Sequence, residues 1–252
     1  MKPEVDLWER YGPLFSIEEK QIFPPDHREL QFYRELRKRY PGSCMEIGAG
    51  DGRLAGVLGN DSLTIGLEPS AAMFKLWTPE DRDSVPCVRG VGQQLPLLES
   101  SLDFILFPYN GIHCILDRDG RKTLLREVAR VLHPRGKFFA EACHRFDDRE
   151  DEENIERYHY RKEDVSLRLM ETVSHDREKG IISFDMKYSG SAVPEGTLSI
   201  VLELALISAG ELLHDIREAG LNIVSIWGDY DLSPWDKRYS PRLLVLAERK
   251  ES

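Results

Sequence analysis

The 252-residue sequence predicts an α/β fold built on a parallel sheet, with an antiparallel unit inserted near its end. Three observations carry this expectation. Apolar, strand-like runs alternate with helical periodicity from Cys44 to Cys143, the pattern of βαβ units. One of those runs, SLDFILFPY (101–109), is apolar on both faces, as a central parallel strand is. A glycine-rich turn, GAGDG (48–52), joins the first run to the helix that follows it.

Taken in order, DHRELQFYRELRKRY (26–40) places Leu30, Tyr33, Leu36 and Tyr40 at helical spacing, with Asp26 as its cap and Pro41-Gly42 as its end. CMEIG is the first strand, and DGRLAGVLG (51–59) continues as helix. SLTIGLEPS is the second strand, stopped by Pro69, and SAAMFKLW the next helix, capped by Ser70. SVPCVRG and SLDFILFPY are the third and fourth strands. RDGRKTLLREVARVL is an amphipathic helix with Leu124, Leu125, Val128, Val131 and Leu132 on one face; HPRG closes it and KFFAEAC is the fifth strand.

Beyond Cys143 the texture changes. The acidic run Asp147–Glu153 reads as a solvated hinge. VSLRLMETVSH, GIISFDMKYSG and GTLSIVLELALIS then read as antiparallel strands joined by the turns REKG and SAVPEG. A helix, SAGELLHDIREAG, and two strands, LNIVSIWGDY and SPRLLVLAERK, complete the chain. DLSPWDK is too short for a crossover helix, so the last two strands pair antiparallel. The expected units are a helical lid over 1–42, a cofactor-binding core over 43–143, an insert for substrate or dimer contacts over 144–208, and a closing segment over 209–252.

With 41% hydrophobic residues the chain can bury a sizeable core, and its net charge of −10 argues against nucleic acid as the main partner. The greasiest stretch, LSIVLELALIS, is too short to span a bilayer and carries Glu203, so no membrane partner is expected. Four widely spaced cysteines form no C-x-x-C pair and fit a reduced, cytoplasmic protein.

Gly48, Gly50 and Gly52 sit where a strand turns into a helix, where a ligand can lie against bare backbone at a positive helix end. A nicotinamide fingerprint needs its third glycine at position 53, which is Arg. Glu46, on the strand itself, suits a ligand bearing an ammonium group. Glu68, ending the next strand, is placed to accept hydrogen bonds from two ribose hydroxyls. A purely structural tight turn is the plainer alternative.

EIGAGDG and GLEPSAAM resemble the first two motifs of the class I S-adenosylmethionine-dependent methyltransferases, and VRGVGQQLPLLESSLDFILF resembles the third and fourth. LLREVARVLHPRGKFF and AGELLHDIREAGLNIVSIWGDYD resemble the later helix–turn–strand and closing elements, so the resemblance runs over most of the chain. It implies a Rossmann-like seven-stranded sheet with helices on both faces, S-adenosylmethionine as cofactor with S-adenosylhomocysteine as product, and a small-molecule acceptor methylated at nitrogen or oxygen. A homodimer is compatible with it. Two departures stand out. Val91 takes the place of the Asp that holds adenine, leaving that contact to Gly92, Gln93, Leu95 and Met73, with Pro69 beside them. Arg135 replaces the first glycine of the usual P-G-G turn.

By position after the fourth strand, Tyr109 and Asn110 line the methyl channel or the methionine end of the cofactor. His113 and His144 are candidate bases, with packing against the sheet as the plainer reading for His113. Tyr109 is also a candidate catalytic residue. DLWERYGPLF resembles a lid in which Tyr11 reaches the cofactor carboxylate; Trp8, Tyr11 and Phe15 at helical spacing equally suit a packing stripe. Arg53 pairs with the same carboxylate or is an exposed first-turn arginine, and Tyr33 is read as core. No metal is expected, because the acidic run lacks calcium-loop spacing. A cofactor-binding sensor without transfer is the alternative function.

Overall fold

The computed structural model describes residues 3–23, 27–59 and 63–251, so the expected cap Asp26 lies outside the described residues. Helix α1 (Pro3–Ile17) runs into a π-turn at Glu18–Ile22, and α2 (His27–Arg39) leads to the first strand. The alternating part comprises β1 (Cys44–Ile47), α3 (Ala55–Leu58), β2 (Thr64–Glu68), α4 (Ala71–Lys75), α5 (Pro79–Ser84), β3 (Cys87–Arg89), β4 (Leu102–Phe107), α6 (Arg118–Val131) and β5 (Leu132–Ala142). Next come β6 (Glu152–Lys162), β7 (Val165–Asp176), β8 (Ile181–Ser189) and β9 (Thr197–Ala205). Helix α7 (Ala209–Glu218) and strands β10 (Leu221–Trp227) and β11 (Leu243–Arg249) close the chain.

Seven strands form one sheet in the order β10-β11-β5-β4-β1-β2-β3. Strands β1 to β5 pair parallel, whereas β11 is antiparallel to both β5 and β10. Strand order reverses between β1 and β4, and a crevice opens there at the carboxyl ends of the strands, where ligands of open α/β sheets bind.

Alternation along each strand divides the core. Met45, Ile47, Ile105, Phe107 and Phe138 face α6 and α7, while Cys44, Phe104, Leu106 and Phe139 face α2 and α3. The α6 stripe Leu124, Leu125, Val128 and Val131 is fully buried, which stabilises the fold by about 1.5–3 kcal/mol per side chain. Ser70, Asp117 and Ser208 each cap a helix with a side-chain oxygen. Arg135 stands at φ +65°, the left-handed backbone that favours glycine.

The sequence reading is corrected in two elements. Helix α3 is a single turn rather than a helix over 51–59, because Gly52 at φ +83° interrupts any helical path through Asp51–Leu54. The acidic run is not all hinge: Glu152 begins β6, the outer strand of an antiparallel sheet ordered β6-β7-β8-β9. Strand β6 pairs only with β7 and is mostly exposed, so it has no buried face to imprint an alternating pattern. Acids of the run meet basic side chains, with Glu152 on Arg157 and Asp147 on Arg177, and Asp151 lies 2.6 Å from the His175 ring.

One face of this second sheet packs Leu167, Val173, Ile182 and Leu204 against Leu14 of α1 and Phe146, which places it over the crevice. No helix among the described residues is long and apolar enough to cross a membrane.

Candidate active site

The turn after β1 continues the ladder with β2: the Gly48 and Ala49 amides donate to the Leu67 carbonyl at 2.8 and 3.1 Å. Glu68 fixes the turn from the end of β2, accepting from the amides of Gly50 and Ser70, each at 2.8 Å. A β-carbon on Gly50 (φ +57°) would meet the end of Met73 at 3.5 Å and the Gly48 carbonyl at 3.9 Å, both ordinary contacts. Bare backbone therefore lines the cavity there, with no close obstacle to a β-carbon. Gly52 has another purpose. Its β-carbon would fall 2.8 Å from the Trp77 indole, whose Nε1 donates to the Gly50 carbonyl at 2.8 Å. Gly52 thus makes room for the side chain that supports the turn, and it does not line the cavity.

That cavity encloses about 340 Å³. Glu46, Gly48, Gly50, Arg53, Glu68, Pro69 and Met73 line its floor, Val91, Gly92 and Gln93 one end, and Tyr109 and Asn110 the mouth of β4. Leu95 is instead buried in the core beneath α6. The roof comes from Trp8 and Phe15 of α1, Leu202 and Leu204 of β9, and Phe146 after β5. Glu9 anchors α1 by accepting from the amides of Ala71 (2.5 Å) and Ala72 (3.1 Å) at the start of α4.

Carboxylates dominate the polar groups. Glu46 is 3% exposed, and no described donor is bonded to its carboxylate; burial pushes it up to about 8, against the pull of Arg53. Glu29 is pushed up to about 7 by burial, again opposed by Arg53. The Arg53 guanidinium pairs with Glu29 and, at 3.0 Å, with Glu19, and lies 3.3 Å over the Tyr109 ring. Arg53 is therefore a held, inward residue rather than an exposed one.

Tyr109 and Asn110 both stand in left-handed backbone, at φ +57° and +58°, which costs about 1–3 kcal/mol for a non-glycine residue. Surrounding contacts impose it on Tyr109: its hydroxyl donates to Glu29 at 3.1 Å and its amide to Glu141 at 3.3 Å. Glu141 also accepts from Tyr33 (2.7 Å) and Tyr230 (2.9 Å), and burial raises its pKa. Tyr33 is core, as expected, and an anchor for this network as well.

Three sequence-derived candidates are corrected. Tyr11 does not reach the cavity; its hydroxyl donates to Glu18, which also accepts from Tyr158 (2.6 Å) and Tyr188 (3.1 Å). This cluster ties α1 to the second sheet. His113 is fully buried, with Nδ1 2.7 Å from the Ala205 carbonyl, and burial lowers it to about 4. His144 lies edge-on to Trp235 with Nε2 3.3 Å from the Lys237 carbonyl. Neither histidine lines the cavity, so neither is placed to act as the base.

Sequence reasoning passed over Glu29, Trp77, Glu141 and Phe146. Only Glu141 carried a signal, as a carboxylate inside the otherwise apolar strand KFFAEAC.

Residues 45–140 match the protein family described as Methyltransferase domain. No curated protein matches the chain in sequence. Among solved structures, the CcbJ methyltransferase from Streptomyces caelestis is similar at a TM-score of 0.79 and 19% identity, covering 99% of this chain and 100% of that one. SAM-bound CalS10, an amino pentose methyltransferase from Micromonospora echinaspora, gives 0.74 and 14%, covering 94% and 97%. The sugar N-methyltransferase KedS8 from Streptoalloteichus gives 0.73 and 18%, covering 94% and 92%. At such identities the likeness shows the fold. The site itself fits S-adenosylmethionine, offering backbone that a side chain would obstruct and a buried carboxylate with no described donor. Residues 45–140 thus carry a methyltransferase domain, set in a chain that shares the fold and strand order of the three methyltransferases above.

Proposed function

We propose that the protein transfers a methyl group to a nitrogen or oxygen of a small molecule. The observation that carries this reading is the roofed cavity, with the Glu46–Glu68 turn at one side and an apolar roof at the other. Sugar nitrogen is the acceptor named for KedS8, and the roof formed by α1 and β9 suits a similarly small acceptor. Bound S-adenosylmethionine supplies an electrophilic methyl carbon. Glu46 and the backbone at Gly48 and Gly50 hold its amino-acid end, and Glu68 its ribose. Met73, Pro69, Val91, Gly92 and Gln93 enclose its adenine. Tyr109 and Asn110 shape the opening toward the acceptor, with Arg53 holding Tyr109 in place. Alignment and exclusion of water are the protein's main contribution. The division into lid (1–42), core (43–143), insert (144–208) and closing segment (209–252) is part of this proposal, the insert serving acceptor recognition.

Calorimetric titration with S-adenosylmethionine, S-adenosylhomocysteine and NAD tests the reading, followed by transfer of labelled methyl to small-molecule pools. Micromolar binding of the first two, none of NAD, and label in small molecules are expected. Label confined to protein or nucleic acid would refute the small-molecule acceptor.

Binding should also release protons. Glu46, raised to about 8, is largely protonated at pH 7 in the free protein, and a cation beside it favours the carboxylate. Affinity for S-adenosylmethionine therefore rises with pH from the ordinary carboxyl range toward about 8 and declines above it, where the ligand's own α-ammonium loses its proton. At pH 7 the binding enthalpy should vary with the ionisation enthalpy of the buffer in the sense of proton release. A buffer-independent enthalpy would remove Glu46 from the cation's side.

A further inference from the structure

We propose that the acceptor is a primary or secondary amine on an apolar or aromatic skeleton, bearing no phosphate or carboxylate on the part that enters the cavity. This rests on the cavity's being the site of methyl transfer. Away from the glycine turn, its walls are Phe15, Cys114, Ile115, Phe146, Leu202 and Leu204. Among the described lining residues, Arg53 is the one cation, and it is already engaged by Glu19 and Glu29. The other ionisable carboxyl groups of the lining are Glu46, Asp51 and Glu68, none of which can neutralise an anion. An anionic acceptor would find no disengaged cation among the described lining residues and leave its charge unpaired by the protein, a cost that apolar walls do not offset.

The nucleophilic atom follows from the groups at hand. A hydroxyl must lose its proton as it attacks, so it needs a base in contact. No imidazole lines the cavity among the described residues, and the Tyr109 hydroxyl is engaged with Glu29; of the carboxylates, Glu68 is held by the Gly50 and Ser70 amides, Glu46 is assigned to the cofactor's ammonium, and Asp51 belongs to the glycine turn at the cofactor's side. A neutral amine brings its own lone pair, and the adjacent sulfonium disfavours its protonated form through like-charge repulsion. Its nitrogen bonds to the methyl carbon, the carbon–sulfur pair returns to sulfur as S-adenosylhomocysteine leaves neutral at that atom, and the ammonium product gives its proton to solvent.

The test uses the full chain and a panel of amines on aromatic and alicyclic skeletons, each with its hydroxyl and carboxylated counterparts. Labelled-methyl transfer and calorimetric binding to the S-adenosylhomocysteine-loaded protein are both read. Amines should bind and be methylated at least about tenfold more efficiently than either counterpart. Leu202→Lys, on the partly buried roof, should shift the ratio of carboxylated amine to plain amine at least about tenfold toward the former, whereas a structural lesion would lower both together. Preference for a hydroxyl or anionic member, an unchanged ratio in Leu202→Lys, or binding of no amine by a protein that binds S-adenosylhomocysteine would overturn the proposal. Failure to bind the adenosyl compounds at all would instead refute the earlier reading of the cavity.

Discussion

Gly50→Val is expected to weaken S-adenosylmethionine binding by at least about 100-fold while leaving a folded chain. Position 50 stands at φ +57°, where a β-branched residue costs about 1–3 kcal/mol. That is tolerable against a typical stability of about 5–15 kcal/mol. The nearest obstacle to a β-carbon is the flexible end of Met73 at 3.5 Å, so the core need not move. The valine methyls, however, extend into the space beside the bare backbone, and relief of the strain would pull the Gly50 amide from Glu68 and its carbonyl from Trp77. Calorimetry of ligand binding beside a circular-dichroism melt separates the two effects. Unchanged affinity in a folded variant would show that the cofactor does not lie on this turn.

Trp77→Ala should lower stability by about 3–5 kcal/mol, the range for emptying a buried aromatic position. For a chain of this size that is a fall in melting temperature of roughly 6–20 °C. The indole is 3% exposed and fills the space left by two glycines: a β-carbon on Gly52 would lie 2.8 Å from it, and one on Gly66 2.9 Å. Its Nε1 is also the donor to the Gly50 carbonyl, so the variant should lose cofactor affinity as well as stability. Trp77→Phe divides the contributions. It keeps much of the packing and removes the donor, for an expected cost of about 1 kcal/mol from the hydrogen bond. Equal melts for Trp77→Ala and the unaltered chain would mean that the turn supports itself.

Both expectations concern one turn, read from opposite sides. The side lining the cavity was legible in the sequence, because glycine spacing, Glu46 and Glu68 lie within 23 residues on adjacent strands. Parallel pairing sets Glu46 opposite Gly66, and the chain turns at the same level on both strands, bringing Glu68 to the Gly50 amide. The side facing the core was not legible. Nothing local marks Trp77 as the support, and Gly52 reads as one more cofactor glycine until the indole is seen against it.

The sequence by itself determined the alternation of strands and helices apart from α5 and β6, the cap at Ser70, the antiparallel return of the last two strands and the position of the glycine turn after β1. Each is written in signals a few residues long: a period of two or 3.6, a capping oxygen, a glycine where a side chain would obstruct. Tertiary structure alone decided that Tyr11 serves Glu18, that His113 is bound to Ala205, and that Arg53 is held over Tyr109. It also joined Tyr33 to Glu141 across 108 positions and Glu18 to Tyr158 across 140. A phenol or a carboxylate looks the same in sequence whether it meets water, a ligand or another side chain. Its partner is chosen only when burial removes the water, and the cost of an unpaired polar group then selects which distant residue it meets.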